Sequence, residues 1–271
     1  MHASRVRNIL VRGMVAGLLA GVLAFVLAYV VGEPSVRDSI AQEEARSAPA
    51  HQHAHGGGEA VPEEEGELVS RSVQSTFGLA TGVLVYGVAV GGIASLVFAV
   101  GLGRIGRFGP RGTAALVAGA AFVTVYLVPF LKYPANPPAV GDPDTIGRRT
   151  ALFFLMILLS VLLAVAAVIA GKRLAPRLGN WNASLVAGGG YVVVVALLCL
   201  VLPGNTDRVP ASFPAALLWE FRIASISVQA LLWTAFGVIF GALAERLPGS
   251  PVTSPVGSST SAGPPSRSSV S

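Results

Sequence analysis

The sequence predicts an all-α integral membrane protein, a polytopic bundle of six transmembrane helices. Three observations carry this: long uncharged apolar runs, their near-uniform length, and a lopsided charge on the segments that join them. Of 271 residues, 53% are hydrophobic and only 12% are charged, roughly half the charged share of a soluble domain. The runs cover 13–32, 77–100, 112–131, 151–170, 183–202 and 223–244, and none holds Asp, Glu, Lys or Arg. At 20 to 24 residues each, one run crosses a hydrocarbon core of about 30 Å as a helix rising about 1.5 Å per residue. The alternation of barrel strands is missing, and only helices or closed barrels satisfy the backbone in lipid.

The first run follows Arg5, Arg7 and Arg12, as in a secretory signal, but it is long for one and no A-x-A-like site follows it. It is expected to stay as the first helix. With six spans, segments 1–12, 101–111, 171–182 and 245–271 share one side. They hold 11 Lys and Arg and one acid, Glu245, whereas 33–76, 132–150 and 203–222 hold 8 basic and 13 acidic residues. Basic residues in short loops stay in the cytoplasm. Both termini are therefore expected there, in a chain that crosses the bacterial inner membrane and presents an acidic outer face. Topology already accounts for the basic pI of about 9.9, so the expected partner is the lipid bilayer and not nucleic acid.

Glycines four residues apart (Gly13, Gly17 and Gly21; Gly78 and Gly82; Gly87 and Gly91; Gly237 and Gly241) predict close approach of the first, second and sixth helices, because small residues let backbones meet in lipid. The fourth run is apolar all round and expected to face lipid. In the sixth, Gln229 should turn inward, either to line a path or to hydrogen-bond another helix. The lone Cys199 reads as a small apolar filler, and one cysteine permits no internal disulfide.

The first outer segment, 33–76, reads as a low-complexity loop. Within it His51, His53 and His55 alternate, so in an extended chain their side chains share one side. The glycines that follow let the chain curl, and Glu59 and Glu63 stand within reach as oxygen ligands. Neutral imidazole suits cobalt, nickel, copper and zinc, whereas calcium and magnesium prefer oxygen alone. Two readings stand here: a borderline transition-metal site, or a solvated loop with incidental histidines. Segments 132–150 and 203–222 are rich in Pro, Asn and Asp, which shape turns. Asn136, Asp142, Asp144, Asp207 and Glu220 can line an entrance for a cation, or serve only as caps and turn formers. Backbone carbonyls at Gly91-Gly92 and Gly188-Gly189-Gly190 offer a further path wherever a helix unwinds.

No G-x-x-x-x-G-K-[ST] loop is present, which excludes an ATPase of that type. The four histidines occupy positions 2, 51, 53 and 55, so no imidazole is available to a catalytic triad in the membrane, and no enzyme is expected. The Ser, Pro and Gly of 249–271 predict a disordered tail.

The run YPANPPAVGDPDTIGRRT, followed by an apolar helix, resembles the CbtA family of probable cobalt transporter subunits. Three further segments are similar to that family: Glu33-Pro34 with Glu43 and Glu44, RSVQSTFGLATG with Arg71 and Gln74, and VPASFPAALLWEFRIAS. Together they span 10–247. The resemblance implies about five membrane helices, a small single-span partner (CbtB) with its own histidine motif, and a link to cobalamin synthesis. The expected function is then a transition-metal transporter subunit. His51, His53, His55, Glu59 and Glu63 would capture divalent cobalt, or nickel, as substrate, with no permanently bound cofactor. The alternative is an accessory or metal-sensing protein that presents the ion to a partner without transporting it.

Overall fold

The computed structural model describes residues 3–52, 74–106, 108–138, 140–141, 143–204 and 209–246. Among these, the regular elements are all helical. They are α1 (Ala3–Leu27), α2 (Glu33–Gln52), α3 (Leu79–Gly101), α4 (Pro110–Ala121), α5 (Val128–Lys132), α6 (Ile146–Val201) and α7 (Ala215–Glu245), with π-turns at Ala28–Gly32, Gln74–Gly78 and Phe122–Leu127 and a 3-10 turn at Pro143–Thr145. Among the described residues, five continuous helical stretches are long and apolar enough to cross a membrane, which makes the chain a multi-pass bundle.

That count is one fewer than the six expected, because the fourth and fifth runs both lie in α6, which is 56 residues long. α6 is not straight. Gly179 has φ 76° and ψ 159°, a left-handed backbone that glycine adopts without penalty, and the two arms fold back on each other there. The Ser160 and Tyr191 hydroxyls are 2.8 Å apart, and Met156 is fully buried in a cluster with Val195 and Leu198. The expected loop at 171–182 thus shrinks to a single non-helical residue. The outer arm faces are exposed at Leu158, Leu162, Leu185 and Val193, as expected of a face toward lipid.

Two other expected loops are shortened by helix. Residues 33–52 are α2 and not part of a low-complexity loop, so His51, its penultimate residue, has helical and not extended backbone. Pro34 is the second residue of α2, which continues α1 through the π-turn Ala28–Gly32, and Ala, Glu, Gln and Arg follow, all good helix formers. Ser35 and Ser39 are buried one turn apart, Ser39 Oγ donates to Ser35 O at 2.7 Å, and α2 rests on α7. α7 itself starts at Ala215, inside the expected loop 203–222, because Pro214 as its N-cap (φ −61°) is followed by the helix formers AALLWEF. The remainder of the first segment, 53–73, and the tail 247–271 lie outside the described residues.

Two of the π-turns have a cause in sequence. Ala28–Gly32 ends two residues before Pro34, and Phe122–Leu127 ends two before Pro129. A proline ring clashes with the carbonyl four residues back, and widening the preceding turn relieves it. Helix 110–132 is therefore interrupted within the run expected to be uniform.

α1 and α3 meet without intervening side chains. A Cβ on Gly17 would overlap Gly87 O, and one on Gly91 would lie 2.5 Å from Gly13 O. α7 packs on α4 through Gly237 and Gly241 against Ala118, Ala114 and Arg111, and on α1. Phe98 of α3 meets Phe240 of α7 edge to face, with centroids 4.9 Å apart, and both are buried at the centre. Gly78, Gly82 and Gly188 to Gly190, by contrast, have nothing within 4 Å of a built Cβ. The first two form no packing face, and the two glycine stretches whose carbonyls were offered as a path where a helix unwinds, Gly91-Gly92 and Gly188-Gly189-Gly190, stay helical. At the basic end of the bundle, Arg12 Nη1 donates to Leu243 O at 2.6 Å, neutralising a free carbonyl near the end of α7. Glu245 pairs with Arg111 at 2.9 Å.

Candidate functional site

The opposite end is built from the two Pro-rich segments. α5 ends at Lys132, and its ammonium donates to Cys199 O at 2.6 Å. The next residue, Tyr133, donates its hydroxyl to Pro203 O at 2.8 Å. Burial raises the Tyr133 phenol above its ordinary value, with a contribution from Cys199 and an opposing one from Arg148, so it remains a neutral donor. These two bonds tie the end of helix 110–132 to the second arm of α6. Val140 packs with Phe213 and Leu217, which joins the first Pro-rich segment to the second. Gly141 (φ 126°) presses its backbone against the Arg149 guanidinium.

Asn136 is held by α7. Arg222 donates Nη2 to Asn136 Oδ1 at 3.0 Å and Nε to Ala135 O at 3.3 Å. The oxygen expected to face an incoming cation is thus already the acceptor of a positive group. Asp144, on the 3-10 turn, and Glu220, on α7, are exposed. Asp142 and Asp207 lie outside the described residues, as do His53, His55, Glu59 and Glu63; of His51 only the helical backbone is described. Among the described residues no three His, Cys, Asp or Glu side chains converge as a metal cage would require.

Deeper in the bundle, Gln229 stands two turns beyond Arg222 on the same face of α7, and Trp233 one turn further. Tyr86 of α3, 38% exposed, lies within interaction range of the Gln229 side chain and of Tyr126. Tyr126 belongs to the π-turn Phe122–Leu127 and stacks on Phe130 with centroids 5.5 Å apart. Gln229 Oε1, Tyr126 Oη and Trp233 Nε1 are each buried without a hydrogen-bond partner among the described residues. The structure thus brings Gln229 together with Tyr86 and Tyr126, which the sequence reading did not single out. One signal was available: tyrosines in membrane helices collect at the interfaces, whereas Tyr86 lies nine residues inside its run.

Beside this cluster α4 and α7 leave a cavity of about 290 Å³ lined by Ala115, Gly119, Phe122, Trp233 and Thr234, among others. Over residues 6–245 the chain matches the family described as probable cobalt transporter subunit (CbtA). No curated protein and no solved structure matches it.

Proposed function

The chain belongs to the CbtA family of probable cobalt transporter subunits, and from that premise we propose that it is the subunit through which divalent cobalt crosses the bacterial inner membrane. The family match over 6–245 is the observation that carries this reading. In it the two arms of α6 each span once, giving six spans with both termini cytoplasmic. The apex of the hairpin carries Lys172, Arg173 and Arg177, where the positive-inside rule places them in the cytoplasm. His51, His53, His55, Glu59 and Glu63 capture the ion outside, with nickel the competing substrate, and the Pro-rich end, with Asn136, Asp142, Asp144, Asp207 and Glu220, forms its entrance. Gln229 lies on the route inward. A subunit implies a partner, for which a small single-span CbtB-like membrane protein is the candidate.

A second reading, an accessory or metal-sensing protein that presents the ion to another membrane protein, is favoured by one observation: the apolar runs hold no ionisable Asp, Glu, Lys or Arg, although ion routes usually do. Radioactive cobalt uptake into vesicles containing the purified chain, with and without the partner, separates the two. Uptake that requires this chain supports the transporter. Metal binding with no uptake in either preparation supports the accessory.

A further inference from the structure

Three buried polar atoms in one region of a membrane bundle need an account. An unpaired buried polar group costs free energy wherever it lies, and lipid offers no water to relieve it. Gln229 Oε1, Tyr126 Oη and Trp233 Nε1 supply acceptors and a donor on α7 and on the π-turn that contacts it, with Tyr86 of α3 alongside. That is the partner count an internal water needs, which is typically about three. The backbone there is also unusual. Tyr126 sits in a π-turn, a distortion often found at functional sites, and the turn follows from Pro129, so it is a feature of the sequence and not of packing.

The α7 face adds direction. Arg222, Gln229 and Trp233 lie on one side over 11 residues, about 16 Å at the helical rise. Side chains able to hydrogen-bond therefore continue inward from the Asn136 clamp along α7. None of these groups is charged below Arg222, and neutral amide and phenol oxygens are poor ligands for a transition metal compared with imidazole. They are good acceptors, however, for the protons of metal-bound water.

We infer that Gln229, Tyr126, Tyr86 and Trp233 form a hydrated niche within the membrane that receives the divalent cation with water still bound, recognising its aqua shell by hydrogen bonds and not by direct coordination. This rests on the transporter reading and adds the chemistry of the step inside the bilayer. Discrimination between cobalt and nickel then lies elsewhere, since their aqua ions carry the same charge and present the same protons.

The test is thiol accessibility in the full chain carrying Cys199→Ala. Gln229→Cys is treated in spheroplasts with a cationic, membrane-impermeant methanethiosulfonate, with Ser212→Cys at the exposed Pro-rich end as the reactive control and Leu158→Cys on the lipid face as the silent one. A thiol reacts as its thiolate, and burial in apolar surroundings that raises its pKa by two units slows labelling roughly a hundredfold. Gln229→Cys is expected to label much closer to Ser212→Cys than to Leu158→Cys, and to slow severalfold in saturating cobalt. If Gln229→Cys is not recovered folded by size exclusion, Tyr126→Cys asks the same question. Labelling no faster than at Leu158→Cys overturns the niche. So does labelling that cobalt leaves unchanged in a chain shown to take up cobalt. Labelling with cobalt protection in a chain that takes up none upholds the niche and overturns the transporter reading alone.

Discussion

The hydroxyls of Ser160 and Tyr191, 31 residues apart in one helix, lie 2.8 Å from each other. Only a hairpin at Gly179 permits this, since about 46 Å would separate them along a straight helix. Hydrogen bonds between membrane helices contribute about 0.6 kcal/mol on average and at most about 1.7. Ser160→Ala and Tyr191→Phe should each destabilise the fold by that order. In a double-mutant cycle read by detergent-induced unfolding, the double variant should cost less than the sum of the two; strict additivity would mean the bond contributes nothing.

Gly17→Ala places a methyl against Gly87 O and should sharply lower the yield of folded protein, as should Gly91→Ala against Gly13 O. Gly82→Ala and Gly189→Ala meet open space and should be recovered at the parent level. The readout is the monodisperse peak on size exclusion.

Arg222 lies between the Asn136 clamp and Gln229. Replacing it by glutamine keeps a donor for Asn136 and removes a positive charge that an entering cation must pass. Arg222→Gln should lower the apparent KM for cobalt uptake severalfold, whereas Asn136→Ala, which frees the guanidinium, should depress the maximal rate. Unchanged uptake kinetics in both variants would place the route elsewhere.

A peptide covering 48–67 should bind cobalt at pH 7.5 and release it as pH falls through about 6.5, because protonated imidazole is no ligand. Calorimetry compares it with the peptide in which His51, His53 and His55 are alanine. In cells, the same triple replacement should weaken uptake mainly at low metal, since local capture raises concentration without forming the route.

A reporter fused after Ser271 decides the topology. A cytoplasmic reporter should be active there and a periplasmic phosphatase silent.

Much of the architecture was legible in the sequence. Apolar runs free of charge can only be spans, and the pairs Gly13 with Gly17 and Gly87 with Gly91 announced the tightest contact because they are spaced as one helix face. Gly78 and Gly82 share that spacing and pack against nothing, so spacing alone does not say whether a partner helix arrives. The start of α7 was read too late because Pro214 was taken as part of a turn, whereas it caps the helix, and the helix through Pro34 was missed because 33–76 was read as low-complexity. The site was less legible. Gln229 stood out as the one amide of its run, but Tyr86 and Tyr126 join it only through the packing of α3 and α7, which run parallel, with the opposed helix 110–132 and its π-turn before Pro129. The clamp of Arg222 on Asn136 spans 86 residues and leaves no local trace.

The contact between α1 and α3 also bears on how the molecule moves. Packed helices shear past one another by letting side chains change rotamer, and a seam made of Gly13, Gly17, Gly87 and Gly91 has none to spend. In the proposed transporter those two helices, with the α2 rod that continues α1, would move as one body. Any alternation of access must be carried by parts joined through yielding side chains, which here means the α4 to α7 seam beside its 290 Å³ cavity and the peripheral α6 hairpin.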